Sequence, residues 1–132
     1  MTTQANYAST PRCAMAQVST ANTARDGTGT IVTVFTAGSS GSRIERVVVE
    51  ATGTTTAGMV RLFINDGTNS RLYYELPIPA VTPSGTVAAA NASVSTVSAP
   101  SLMPIVIPTG FSLRASTNNA ETFNVIAIGG DF

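Results

Sequence analysis

The chain has 132 residues, with seven basic side chains balanced by seven acidic ones, one cysteine and no histidine. That length supports one domain with a single core, and because all seven basic residues are scattered arginines there is no cationic stripe for nucleic acid. No run approaches the roughly 20 apolar residues of a membrane-spanning helix, so neither a nucleic-acid nor a membrane partner is expected.

Residues 1–12, MTTQANYASTPR, are polar apart from Tyr7. They read as an N-terminal arm, with residues 13–132 as the folded domain. Such a segment frays unless the domain's own sheet or a neighbouring subunit holds it. Tyr7 and Arg12 are the candidate interface residues, because aromatic and arginine side chains dominate contact hot spots. The arm lacks a charged start followed by an apolar run, so no signal peptide is expected and synthesis is placed in a reducing cytoplasm. Cys13 cannot form an internal disulfide and reads as a small apolar residue or an ordinary thiol.

From there the pattern is one of short strands. MAQVST (15–20), the β-branched TIVTVFTA (30–37) and RIERVVVEAT (43–52) are separated by ANTARDGTG and AGSSGS turns. In the third of these strands the apolar positions change face near Arg46, as at a bulge or where an exposed edge becomes a covered centre. MVRLFIN (59–65) and RLYYELP (71–77) flank DGTNS as a hairpin. With a five-residue loop Arg61 stands opposite Glu75 and Phe63 opposite Tyr73 on an outer face, while Val60, Leu62, Ile64, Leu72, Tyr74 and Leu76 face the core. Five prolines between Pro77 and Pro104 exclude a long central strand there, and Thr86 to Ala92 reads as strand in preference to helix. IVI (105–107) is a short strand leading to FSLRAS (111–116) and TFNVIAI (122–128), which read as a second hairpin pairing Leu113 with Val125. These elements predict an all-β chain: a single-domain antiparallel β-sandwich, jelly-roll-like, of about eight strands with an N-terminal arm.

Little in this pattern resembles catalytic chemistry. Without histidine the commonest general base, the usual triads and His/Cys zinc ligation are excluded. The carboxylates Asp26, Glu45, Glu50, Asp66, Glu75, Glu121 and Asp131 include no adjacent pair and no calcium-loop spacing. DGTGT (26–30) and GSSGS (38–42) lack the Gly-Lys-Ser/Thr of a phosphate loop and read as turns. No enzyme, metal or cofactor is expected. The arginines read as solvated strand faces and cross-strand pairs, and the aromatics as packing, with Tyr7 and Tyr73 the two that could serve a surface.

The stretch from DGTNSRLYYELPIPAVTPS to IPTGFSLRASTNNAETFNVIAIGGDF, roughly residues 58–130, resembles small virion-associated proteins of tailed bacteriophages. These share an Asp-Gly-Thr turn, a Thr-Pro-Ser loop, a Pro-x-Gly-(aromatic)-x-Leu strand and a Phe-Asn-Val-Ile-Ala ending. The resemblance implies a non-enzymatic structural protein located in the virion. A compact β domain with a Thr/Ser-rich surface and an arm suits a capsid decoration, or cement, protein on the outside of the head. It would bind the major capsid protein as a homo-oligomer, expected to be a trimer, with Tyr7 and Arg12 at the capsid or subunit interface. The alternatives are a receptor-binding or fibre-tip module and a small sugar-binding, lectin-like domain.

Overall fold

The computed structural model describes residues 8–132 and contains nine strands and no helix among them. In chain order they are β1 (Thr10–Val18), β2 (Val32–Thr36), β3 (Ser42–Ala51), β4 (Gly58–Asn65), β5 (Ser70–Ile78), β6 (Asn91–Ser95), β7 (Ile105–Ile107), β8 (Ser112–Thr117) and β9 (Phe123–Asp131). They form two antiparallel sheets packed face to face. The first runs β1-β9-β3-β6, with β7 also paired to β3, and the second runs β2-β8-β4-β5. β7 and β6 lie end to end along the same side of β3, on Ser42 to Ile44 and Arg46 to Glu50 respectively. The proline-rich segment thus supplies that edge of the sheet.

The pairings are nested: β1 with β9, β2 with β8, β3 with β6 and β7, β4 with β5. A long hairpin rolled up on itself gives this order, which is the jelly roll expected from the sequence. Its core lies between the sheets and takes alternate residues from each strand, including Val47 and Val49 of β3, Val60 and Leu62 of β4, Leu113 and Ala115 of β8, and Val125 and Ala127 of β9. The change of face in β3 is a bulge, where the register against β9 slips between Ile44 and Arg46. Gly129 lies opposite this kink, and a Cβ there would collide with the carbonyl oxygen of Arg43. Only glycine admits so close a backbone approach.

Three sequence expectations are corrected. β8 and β9 do not form a hairpin. They lie in different sheets, β8 between β2 and β4 and β9 between β1 and β3. Leu113 and Val125 are both buried, but they belong to opposing sheets instead of pairing. In the β4–β5 hairpin Arg61 does stand opposite Glu75, but a one-residue slip follows, so Phe63 faces Leu72 and the connection shortens to four residues. Tyr73 is the extra residue. Finally, the outer face of β4 is not solvated: Arg61 is 1% exposed and Phe63 fully buried. The connection between β1 and β2 lies over it, joined through an Ala21–Thr117 bridge and the close approach of Gly27 to Ser70.

Candidate functional site

Tyr7 lies outside the described residues. Arg12 belongs to β1, which takes in Thr10, Pro11 and Arg12 and pairs them with Asp131, Gly130 and Gly129. Along β1 the odd residues from Cys13 to Gln17 face solvent while Ala14, Ala16 and Val18 turn inward, so Arg12 also turns inward, at the open end of the sandwich. Its guanidinium sits 4.2 Å from the centroid of the Phe35 ring. Nη1 donates to the Thr36 carbonyl at 2.6 Å and to Asp131 Oδ1 at 3.1 Å. Ser42 donates to the same carboxylate oxygen at 2.5 Å, and the Gly38 amide donates to Ser42 Oγ at 2.8 Å. The Ser42 hydroxyl, and after it the Arg12 guanidinium, hold the Asp131 carboxyl below its usual pKa. Arg12 therefore ties β1 and β9 of one sheet to β2 of the other.

A second arginine is enclosed more completely. Arg61 donates from Nε to Glu75 at 3.1 Å, from Nη1 to the Asn22 carbonyl at 2.9 Å and from Nη2 to Asn118 Oδ1 at 3.0 Å. Arg25, on the covering connection, pairs with the same Glu75 at 3.0 Å. The Asn22 side chain shapes that connection by donating to the carbonyls of Thr28 and Thr30 and accepting from the Ala24 amide. This is a structural cluster, with each arm of the guanidinium occupied by the chain itself. The apolar run Leu62-Phe63-Ile64 beside Arg61 departs from the alternation of a half-buried strand, but the charge at Arg61 itself reads as an outward position. Tyr73 is likewise consumed: it packs against the core and its hydroxyl donates to the Leu102 carbonyl.

The outward face of the first sheet has a different character, and sequence reasoning missed it. Register places Met15, Ile126, Val48 and Ser93 in one row across β1, β9, β3 and β6. Cys13, Ile128, Arg46 and Ser95 form the row on one side of it; Gln17, Asn124, Glu50 and Asn91 form the row on the other. Met15 is 70% exposed. Shallow depressions of about 260 Å³, beside Met15 and Ile126, and about 280 Å³, beside Arg46, Val97 and Ile128, mark this surface. Val97 on its rim is 89% exposed. Among the described residues no three His, Cys, Asp or Glu side chains converge as a metal site.

No protein-family model matches the chain, and no curated protein matches it. Among solved structures, it is similar to a pentameric capsid protein isolated from metagenomic phage sequences, at 16% identity and a TM-score of 0.39 over 90% of this chain. It is also similar to a chain in the structure of the infectious bursal disease virus Gt strain, at 14% identity and a TM-score of 0.35 over 98% of this chain. The alignments span 59% and 34% of those two chains. At this level of similarity neither carries a function over to this protein.

Proposed function

We propose that this chain is a non-enzymatic virion component: a decoration, or cement, protein that binds the outer surface of a phage head and stabilises it. The observation that carries the reading is that residues 8–132 by themselves close a sandwich around one core. Its buried core runs from Val18 to Ala127, and β1 opens at Thr10 on a sheet edge. The residues before Ala8 are assigned an external contact, with Tyr7 as an anchor on the major capsid protein. Arg12 supports that contact from behind by fixing the start of β1. The jelly roll is an architecture of capsid and lectin domains alike, so the weight rests on this arrangement and on the sequence resemblance, not on the fold.

A cement protein binds a shell already in place, through contacts individually weak and collectively strong. Three copies around a threefold axis, each with one arm, make the second and third contacts intramolecular and raise avidity by about 10² to 10⁴. The test compares the full chain with one starting at Ala8, each added to phage heads stripped of decoration and followed by co-sedimentation. The full chain should saturate the heads and the shortened one should not, while both melt at the same temperature. Unchanged saturation by the shortened chain overturns the assignment of the arm. Binding to host cells but not to heads would favour a receptor-binding module, and specific signals on a glycan array a lectin.

A further inference from the structure

We propose that the outward face of the first sheet binds a second copy of this chain, about a twofold axis running across the strands at the level of Met15, Ile126 and Val48. The apolar row is open to solvent, with Met15 at 70% exposure and Ile126 and Val48 half-buried. What selects the occupant is the charge on either side of the row. Arg46 and Glu50 lie on β3, two residues before and two after Val48, on the same face. At strand spacing each is about 6.6 Å from the row. Neither is in a salt bridge among the described residues, where Arg12, Arg25, Arg43 and Arg61 are the paired arginines.

Two sheets packed face to face about a twofold must have that axis in the plane between them. An axis parallel to the strands keeps each residue in its own row, so no Arg46 would meet a Glu50. Laid along β3 it would stack Arg46 on Arg46 and Glu50 on Glu50, and laid along β9 it would set them over Cys13 and Gln17. An axis across the strands reverses their direction and keeps their order. β3 then lies antiparallel over β3 of the other copy, each Arg46 meets a Glu50, and the Met15–Ile126–Val48 row lies on its own counterpart. Such self-complementarity is the condition for an isologous contact, and two aligned sheets about 10 Å apart interdigitate in this way inside ordinary sandwiches. The polar row is also prepared for covering, because Gln17 Nε2 already donates to Asn124 Oδ1 at 3.0 Å. The contact joins two copies whatever the arrangement on a virion, and its test uses the isolated chain.

Sedimentation equilibrium of the full chain should show a monomer–dimer equilibrium. Arg46→Glu alone and Glu50→Arg alone should each weaken dimerisation roughly 100-fold, since like charges then face each other twice. An equimolar mixture of these two variants should form heterodimers, because every facing pair is again opposite in sign, and the double variant R46E/E50R should dimerise like the original. Melting temperatures equal to that of the original chain at concentrations low enough to keep it monomeric will show that these outward-facing substitutions leave the fold intact. The proposal is overturned if the chain stays monomeric at all concentrations, if Arg46→Glu dimerises normally, or if the mixture does not rescue. A monomeric chain whose Arg46→Glu variant also fails to bind phage heads would assign the face to the shell instead.

Discussion

Arg61 and Leu113 mark two kinds of buried position, one held by hydrogen bonds and one by packing. Arg61 reaches the Glu75 carboxylate, a carbonyl and a side-chain amide from 1% exposure, so truncating it leaves the Asn22 carbonyl and the Asn118 side chain without their donor, while Glu75 keeps Arg25. Arg61→Ala should cost about 1 to 3 kcal/mol in reversible urea unfolding, and Arg61→Lys should not restore it, since an ammonium cannot reproduce the guanidinium fork. Leu113, fully buried between the sheets, should cost about 2 to 5 kcal/mol when changed to alanine. A loss under about 0.5 kcal/mol would place it outside the core. The inward direction of Leu113 was legible in the alternation of FSLRAS. The burial of Arg61 was not, because strand periodicity reports one covered face and says nothing of a connection folded over the other.

At the scale of elements, short apolar runs bounded by Gly, Pro and Asn were legible as strands; IVI is β7 residue for residue. Partnership was less so. Two consecutive strands with apolar sets on the same side can pair laterally or face each other across a core, and alternation fits both. β4 and β5 take the first course, β8 and β9 the second. The pairing of β1 with β9 is fastened where Asp131 accepts from Ser42 and Arg12. A carboxyl with a lowered folded pKa stabilises the fold above its unfolded pKa of about 3.9, and that contribution is lost as pH falls through the lowered value. Asp26 and Asp66 act in the same direction: hydrogen bonds from Thr28 lower the first, and the amides of Asn69 and Thr68 lower the second. Thermal melts should therefore be flat from pH 7 to about 5 and fall below about 4. Asp131→Asn should be less stable at pH 7 and show a shallower acid slope; an unchanged slope would remove Asp131 from the account.

For the whole molecule, the first strand rests beside the last, so the boundary between arm and domain can be placed by truncation. A chain starting at Ala8 should melt with the full chain. One starting at Cys13 loses three rungs against β9 and every Arg12 contact, and its melting temperature should drop by more than about 5 °C. Equal melting temperatures for the two would show that Thr10 to Arg12 add nothing to the fold. The sequence pointed to an all-β sandwich because turn residues recur at short intervals, but the rolled order depends on partners more than a hundred residues apart, such as Thr10 and Asp131. Local pattern holds no record of those. The outward row of Met15, Ile126 and Val48 was hidden for the same reason, being assembled from three strands distant in the chain.

The neighbouring positions of Thr10 and Asp131 also decide how the molecule bears a load. In an antiparallel pair the hydrogen bonds lie perpendicular to the strands, and here both chain ends leave from the same end of the β1–β9 ladder. Tension drawn between those ends opens the ladder one rung at a time, like a zipper, and meets only the strength of a single rung. Force spread over the faces of the sandwich is shared among its strands. A protein of this shape resists pulling best as a plate pressed between neighbours and least as a rope strung between its two ends.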